Sequence, residues 1–293
     1  MVERITATTA VVSGRIPIHV RHWHTRDGAP TILTAHGLLP WGLTLGRFHL
    51  GLARAGFNIV NWDLPGFGLS GGSRSGPTID AMIQAWKDLF AYTQREYGAP
   101  IYVVGFAEDG VTAYYALANE PDLAAASFHI LVEYGDPLNL HWRGPLISNL
   151  SRFALPLLAA VRPSTTFKVE GAVPLEPVFG TLTPTFENDP LRVRAFGIGL
   201  ARSMAKRRKP PVPWSQNRTP IQIVSSERGE LWPHKMNVKY HELLGGDKEL
   251  VTLEGASHSS FDPEFVDMYI GHVVRWFSQH GATIRSPVSE VLA

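Results

Sequence analysis

Cysteine is absent from all 293 residues, which excludes disulfides and thiolate metal sites and leaves the redox compartment open. Neither sign of charge prevails. The 27 Lys and Arg against 26 Asp and Glu leave +1, so no global electrostatic partner such as nucleic acid or an anionic membrane is expected. No apolar run approaches the length needed to span a membrane, and Met1-Val-Glu-Arg-Ile lacks a signal-peptide core, so a cytoplasmic protein is the expectation. Internal repeats and low-complexity tracts are missing too. What is present is 44% hydrophobic residues, enough to bury a large core in one α/β domain with an insertion or in two domains.

Residues 5–12 and 16–23 alternate like two antiparallel strands around Ser13-Gly-Arg15. Short apolar runs predict strands at 31–35, 58–62, 101–105, 127–132, 221–224 and 250–253. Apolar residues at helical spacing predict helices at 48–55, 79–97, 111–119, 236–244 and 263–280. This alternation implies a mostly parallel sheet covered on both faces. It lapses after Asp136 in a Pro- and Leu-rich stretch with helical pieces at 146–161 and 191–204. Residues 1–137 and 217–293 are therefore expected to form the core, and 138–216 a cap over the carboxyl edge of the sheet, where open α/β folds place their sites.

The stretch Ile101-Tyr-Val-Val-Gly-Phe-Ala-Glu-Asp-Gly110 runs a β-branched strand into a turn and then a helix. That is the setting of a nucleophile elbow, in which the attacking side chain rides a sharp bend above a parallel sheet. With Gly105 two residues before it, the apex is Ala107, whose methyl has no lone pair with which to attack. Glu108 and Asp109 follow at the start of the helix. Capping by the helix dipole is the favoured reading of these acids; contact of one of them with His258 or with substrate is the other.

These features resemble the α/β-hydrolase fold superfamily, specifically its monoacylglycerol-lipase and lysophospholipase-like branch. The matching residues are His36-Gly37, Asp63-x-Pro-Gly66-x-Gly68-x-Ser70, the Gly105 bend, Glu187-Asn-Asp-Pro-Leu191, and Gly246 through Gly-Ala-Ser-His258. The resemblance spans about residues 14–280 and implies an eight-stranded, mostly parallel sheet with an inserted cap. It also implies a nucleophile at position 107, a general base at His258, and an oxyanion hole from the N–H groups of Leu38 and Glu108. His36, Gly37, Phe106 and Asp109 would border the substrate. The carboxylate that orients the base would fall at 229, which is Gly229. Glu230 next door, Glu227 two before, and Asp136 after the preceding strand stay open as replacements. No metal or organic cofactor is implied.

Three accounts of Ala107 compete: a Ser→Ala change made to trap a ligand, a natural repurposing for proton transfer without an acyl intermediate, and a non-catalytic binding protein. The departures at Gly229 and Asp109 favour repurposing. The expected function is a cofactor-free lyase, cyclase or water-mediated hydrolysis of a small apolar carbonyl, ester or thioester compound. The alternative is an ordinary carboxylic-ester hydrolase disabled at position 107. Oligomeric state is not legible.

Other signals have plainer readings. His19, His22 and His24 share one strand, and two histidines bind zinc only with a third ligand from elsewhere, so a solvated or edge strand is expected. Lys206-Arg-Arg-Lys209 reads as a solvated loop. Residues 155–161 suit an acyl pocket or cap packing equally. Ser70 and Ser257 are poor replacement nucleophiles, the first in a structural loop and the second directly before His258.

Overall fold

The computed structural model describes residues 4–38, 45–74, 78–98, 100–136, 183–258 and 263–284, with scattered positions between 154 and 179. An antiparallel pair opens the chain, β1 (Arg4–Ser13) and β2 (Ile16–His24). Then come β3 (Thr31–Thr34), α1 (Gly46–Arg54), β4 (Asn58–Trp62), α2 (Ile79–Tyr97), β5 (Ile101–Gly105), α3 (Glu108–Leu117) and β6 (Leu123–Phe128). After the intervening segment the alternation resumes with β9 (Ile221–Ser226), α6 (His234–Leu243), β10 (Lys248–Leu253) and α7 (Pro263–Gln279). The eight long strands form one sheet in the order β1-β2-β4-β3-β5-β6-β9-β10, parallel from β4 through β10.

Strand side chains alternate between faces, and here both faces are buried. Ile32, Ile59, Tyr102 and Val104 join Phe48 and Leu52 of α1 and Ile270, Val273 and Phe277 of α7 in one apolar cluster. Their neighbours Leu33, Val60 and Val103 join Trp86 and Leu89 of α2, Tyr114 of α3 and Tyr240 of α6 in the other. The loop after β4 is held from within. Arg21 on β2 grips the fully buried Asp63 with two bonds of 2.9 and 2.8 Å, the Leu69 N–H adds a third, and Ser70 bonds the Asp63 carbonyl. Ser70 is thus a loop brace.

Several expectations shift. Strand β6 ends at Phe128, four residues short of the expected Val132, because β9 pairs only with Ala126 to Phe128. Between β6 and β9 the expected helix at 191–204 is divided. Residues Ala195–Gly197 (β8) pair antiparallel with Thr166–Lys168 (β7), and the helix α5 (Ile198–Lys206) follows; a short helix α4 (Thr183–Asn188) precedes them. The expected helix at 146–161 falls mostly outside the described residues. Strand β2 is no edge strand: it lies between β1 and β4. Both ring nitrogens of His22 meet tyrosine hydroxyls, Tyr97 at 2.9 Å and Tyr92 at 3.1 Å. The described residues hold no group of three His, Asp or Glu able to bind a metal. In Lys206-Arg-Arg-Lys209 three side chains are exposed, while Arg207 pairs with Asp80 at the start of α2 at 2.5 Å. No helix among the described residues is long and apolar enough to cross a membrane.

Candidate active site

The bend between β5 and α3 is strained. Ala107 sits at φ 50°, ψ −128°, and Asn119 is the only other described non-glycine residue with positive φ. An L-residue in such a region carries strain on the order of 1–3 kcal/mol. Because Cβ is what makes the conformation costly, Ala107→Gly is expected to stabilise the fold by about 1 kcal/mol, as a rise in the urea midpoint at unchanged slope. The bend is locked where helix and strand back onto each other. A Cβ on Gly105 would lie 2.5 Å from the Gly110 Cα, and one on Gly110 would lie 3.0 Å from the Gly105 carbonyl. An elbow of this kind wants a small residue two places after the apex, at 109, where helix and strand back onto each other; here the close approach falls one residue later, at Gly110, and Asp109 carries a side chain.

Neither acid at the start of α3 caps it. Asp109 is fully buried and accepts the Trp86 indole N–H at 2.9 Å, while its second oxygen has no partner among the described residues. Burial holds its carboxyl well above the usual range, the Trp86 bond pulling the other way. Burial likewise pushes the Glu108 carboxyl up to about 7, against the Tyr134 hydroxyl beside it. A dipole effect needs charge, and burial favours the neutral form of both acids. The main-chain N–H of Glu108 is different: it opens the helix, so it is one of the orphan donors every helix leaves at its start. Leu38, after β3, is half-buried and packs against the same apolar cluster as Ala107.

His36 holds this edge together and has no ring atom left for a ligand. Its Nε2 accepts the Leu64 N–H at 3.0 Å, so Nδ1 carries the proton and donates to the Gly37 carbonyl at 2.7 Å. Burial lowers its pKa to about 4 and keeps it neutral. Phe106 packs edge-on against Phe48 and Tyr269 and is half-buried.

His258 lies buried beyond the end of β10 with its ring against two others. The His129 imidazole and the Trp232 indole each stand 5.1 Å away, tilted by 34° and 41°. Burial first, and His129 second, hold its pKa well below the ordinary 6.5. Each acid proposed to orient it is bound elsewhere. Glu230 accepts the main-chain N–H of His258 at 2.7 Å, and Glu227 that of Gly255 at 2.7 Å. Asp136 takes Lys239 and the Tyr240 hydroxyl, both at 2.7 Å. Gly229 has φ 38°, and a Cβ there would run into the Trp232 carbonyl, so this backbone admits no acid at 229. Among the described residues nothing hydrogen-bonds to the His258 ring.

The residue that sequence reasoning missed is His129. It is the first residue beyond β6, buried, with its N–H on the Gly105 carbonyl at 3.0 Å and its Nε2 3.1 Å from Ser226 Oγ at the end of β9. The expected strand to Val132 would have placed it inside the sheet. Placed at a carboxyl edge, it is the kind of residue that position favours for sites. The edge is then continuous: Phe106 beside the bend touches Tyr269, Tyr269 faces His129 at 6.4 Å, and His129 faces His258.

Comparison with known proteins places this architecture. Structures of similar fold include a monoacylglycerol lipase from Paleococcus ferrophilus (18% identity, 90% of this chain and 99% of that one, TM-score 0.70). A soluble variant of monoglyceride lipase from Saccharomyces cerevisiae, solved with a substrate analogue, aligns at 16% identity over 96% and 98% with TM-score 0.75. An epoxide hydrolase from Vigna radiata aligns at 14% identity over 95% and 100% with TM-score 0.66. At such identities the likeness is one of fold, the α/β-hydrolase fold. No curated protein sequence matches the chain. The family model described as serine aminopeptidase, S33 matches residues 29–263. That match takes in the strained bend, the Arg21-gripped loop after β4 and His258, and the chain belongs to the serine aminopeptidase S33 family of α/β hydrolases.

Proposed function

We propose that this chain is an enzyme that acts on a small apolar carbonyl, ester or thioester compound without a serine nucleophile, with His258 as general acid and base. The observation that carries the reading is the orienting acid. A family member disabled only at its nucleophile would keep a carboxylate on the histidine ring, whereas here Glu227, Glu230 and Asp136 are bound elsewhere and position 229 admits none. The elbow at Ala107 serves as the floor of the site. It aims the N–H of Glu108, with that of Leu38, at a carbonyl oxygen, and backbone donors of this kind stabilise charge that develops there.

In the reaction, His258 takes a proton from substrate or from a water, and negative charge collects on the carbonyl oxygen. The imidazolium then returns the proton to the departing group. An imidazole whose pKa is low is in its base form at neutral pH and gives the proton back readily once it has it. Lyase, cyclisation and water-mediated hydrolysis all fit this scheme. Residues 138–216 would cap the pocket, and the substrate is the expected partner in a cytoplasmic setting.

A second reading, an ordinary serine ester hydrolase carrying Ser→Ala, is favoured by one feature: the strained conformation retained at Ala107. Introducing serine tests both. Serine activation needs a base oriented by a third group, so Ala107→Ser is expected to leave p-nitrophenyl butyrate hydrolysis at background. Strong ester hydrolysis confined to the serine variant would establish the second reading instead.

A further inference from the structure

We propose that the rings of His129 and Trp232 orient the imidazole of His258, doing by ring contact what a carboxylate does in a catalytic triad. The inference rests on the reading of His258 as acid and base and supplies its positioning residues. A triad carboxylate fixes its histidine through a bond to one ring nitrogen, and so commits that nitrogen. Contacts with two neighbouring rings, at centroid separations of 5.1 Å and tilts of 34° and 41°, restrict the imidazole instead. His129 Nε2 pairs with Ser226 Oγ, and no hydrogen bond joins His129 to the His258 ring among the described residues, so His129 does not relay the proton.

The His129 contact is itself anchored. His129 is tied through its N–H to Gly105, through its carbonyl to the Asn237 amide at 3.1 Å, and through Nε2 to Ser226. Trp232 lies in the turn after β9, and Glu230 in the same turn holds the His258 main chain. The groups that position His258 thus come from the end of β6 and from the turn after β9. Neither ring nitrogen of His258 is bound by a described residue. One nitrogen can accept a proton while the other donates one, which suits removal of a proton at one substrate atom and delivery at another.

The groups around the ring are His129 from the end of β6, Trp232 and Glu230 from the turn after β9, and Tyr269 of α7 behind His129. Glu230 accepts from the main-chain N–H of His258 rather than from its ring. Burial and the His129 ring both disfavour the imidazolium.

The test is the protonation state and tautomer of His258 in ¹⁵N-labelled full-length protein, followed by long-range ¹H–¹⁵N spectra through a pH titration, with no ligand required. In the parent chain His258 is expected to be neutral at pH 6.5, where an ordinary histidine is half-protonated. His129→Ala and Trp232→Ala should each shift its titration up toward the ordinary value and blur its tautomer signals. His129→Phe and Trp232→Phe keep a ring and should hold both near parental values, which separates clamping from folding. Against a substrate turned over by the parent, the alanine variants should lose kcat by about 100-fold, the usual cost of misplaced geometry, with KM little changed. An unaltered His258 titration in both alanine variants would overturn the clamp. Loss of the clamp signature with His258-dependent turnover intact would sink this inference alone; turnover that survives His258→Ala would sink the functional reading and leave the spectroscopic result standing.

Discussion

His258→Ala is expected to lower turnover of a carbonyl substrate by about 10²–10⁴-fold, the usual contribution of a positioned general acid and base. The change belongs in kcat, since the carbonyl oxygen would still meet the N–H groups of Leu38 and Glu108. A panel of acyl esters, thioesters, lactones and β-diketones, read by mass spectrometry on the parent and the variant side by side, measures it. Equal rates in the two proteins would remove His258 from the chemistry. His258→Gln keeps side-chain bulk against His129 and Trp232 and should fall as far, which distinguishes lost proton transfer from a collapsed site.

Arg21→Ala is expected to cost about 3–5 kcal/mol of stability, the range for breaking a buried ion pair by removing one partner. Asp63 is fully buried and Arg21 nearly so, with two bonds between them. Burial alone would raise the Asp63 carboxyl, but Arg21, His36 and the Leu69 N–H together hold it below 3.8. The sign of the pH dependence follows. With its folded pKa depressed, Asp63 contributes stability that is present above 3.8 and is lost as pH falls through the folded value. Without Arg21 the buried carboxyl keeps its desolvation and loses its main counter-charge, so its pKa should rise. The variant's deficit should then be largest near pH 7 and shrink on acidification. Urea melts at pH 7 and pH 4 measure it, and a deficit that does not change between them would refute this account. Replacing both partners with apolar residues, Arg21→Met with Asp63→Leu, should recover much of the loss.

Most of the frame was legible before any coordinates. Helix α2 was bounded correctly at Ile79 and Tyr97, because Thr78 caps one end and Gly98, at φ 81°, stops the other. Strands β2 to β5, β9 and β10 and helices α6 and α7 were found within a few residues, since periodicity marks buried faces wherever a sheet is covered on both sides. The segment between β6 and β9 was less legible. The three-residue pairing of β7 with β8 depends on two strands far apart in the chain, and no local pattern announces it.

Ala107 at the apex of a strained bend and His258 beyond the last strand follow from residue order alone, because the strand–turn–helix signature and the terminal Gly-Ala-Ser-His are local patterns. What the acids do could not be read that way. Whether Asp109 caps a helix or reaches Trp86, and whether Glu230 meets the ring of His258 or its main chain, depends on where a side chain ends relative to partners 23 and 28 residues away in sequence. The pairing of His129 with His258 is more distant still, and it exists only because the sheet brings the ends of β6, β9 and β10 to one edge. Local sequence set the fold and the backbone of the site, since both arise from short-range sterics and the burial pattern. Only the tertiary structure decided which groups touch the imidazole, since burial and contact belong to the assembled sheet.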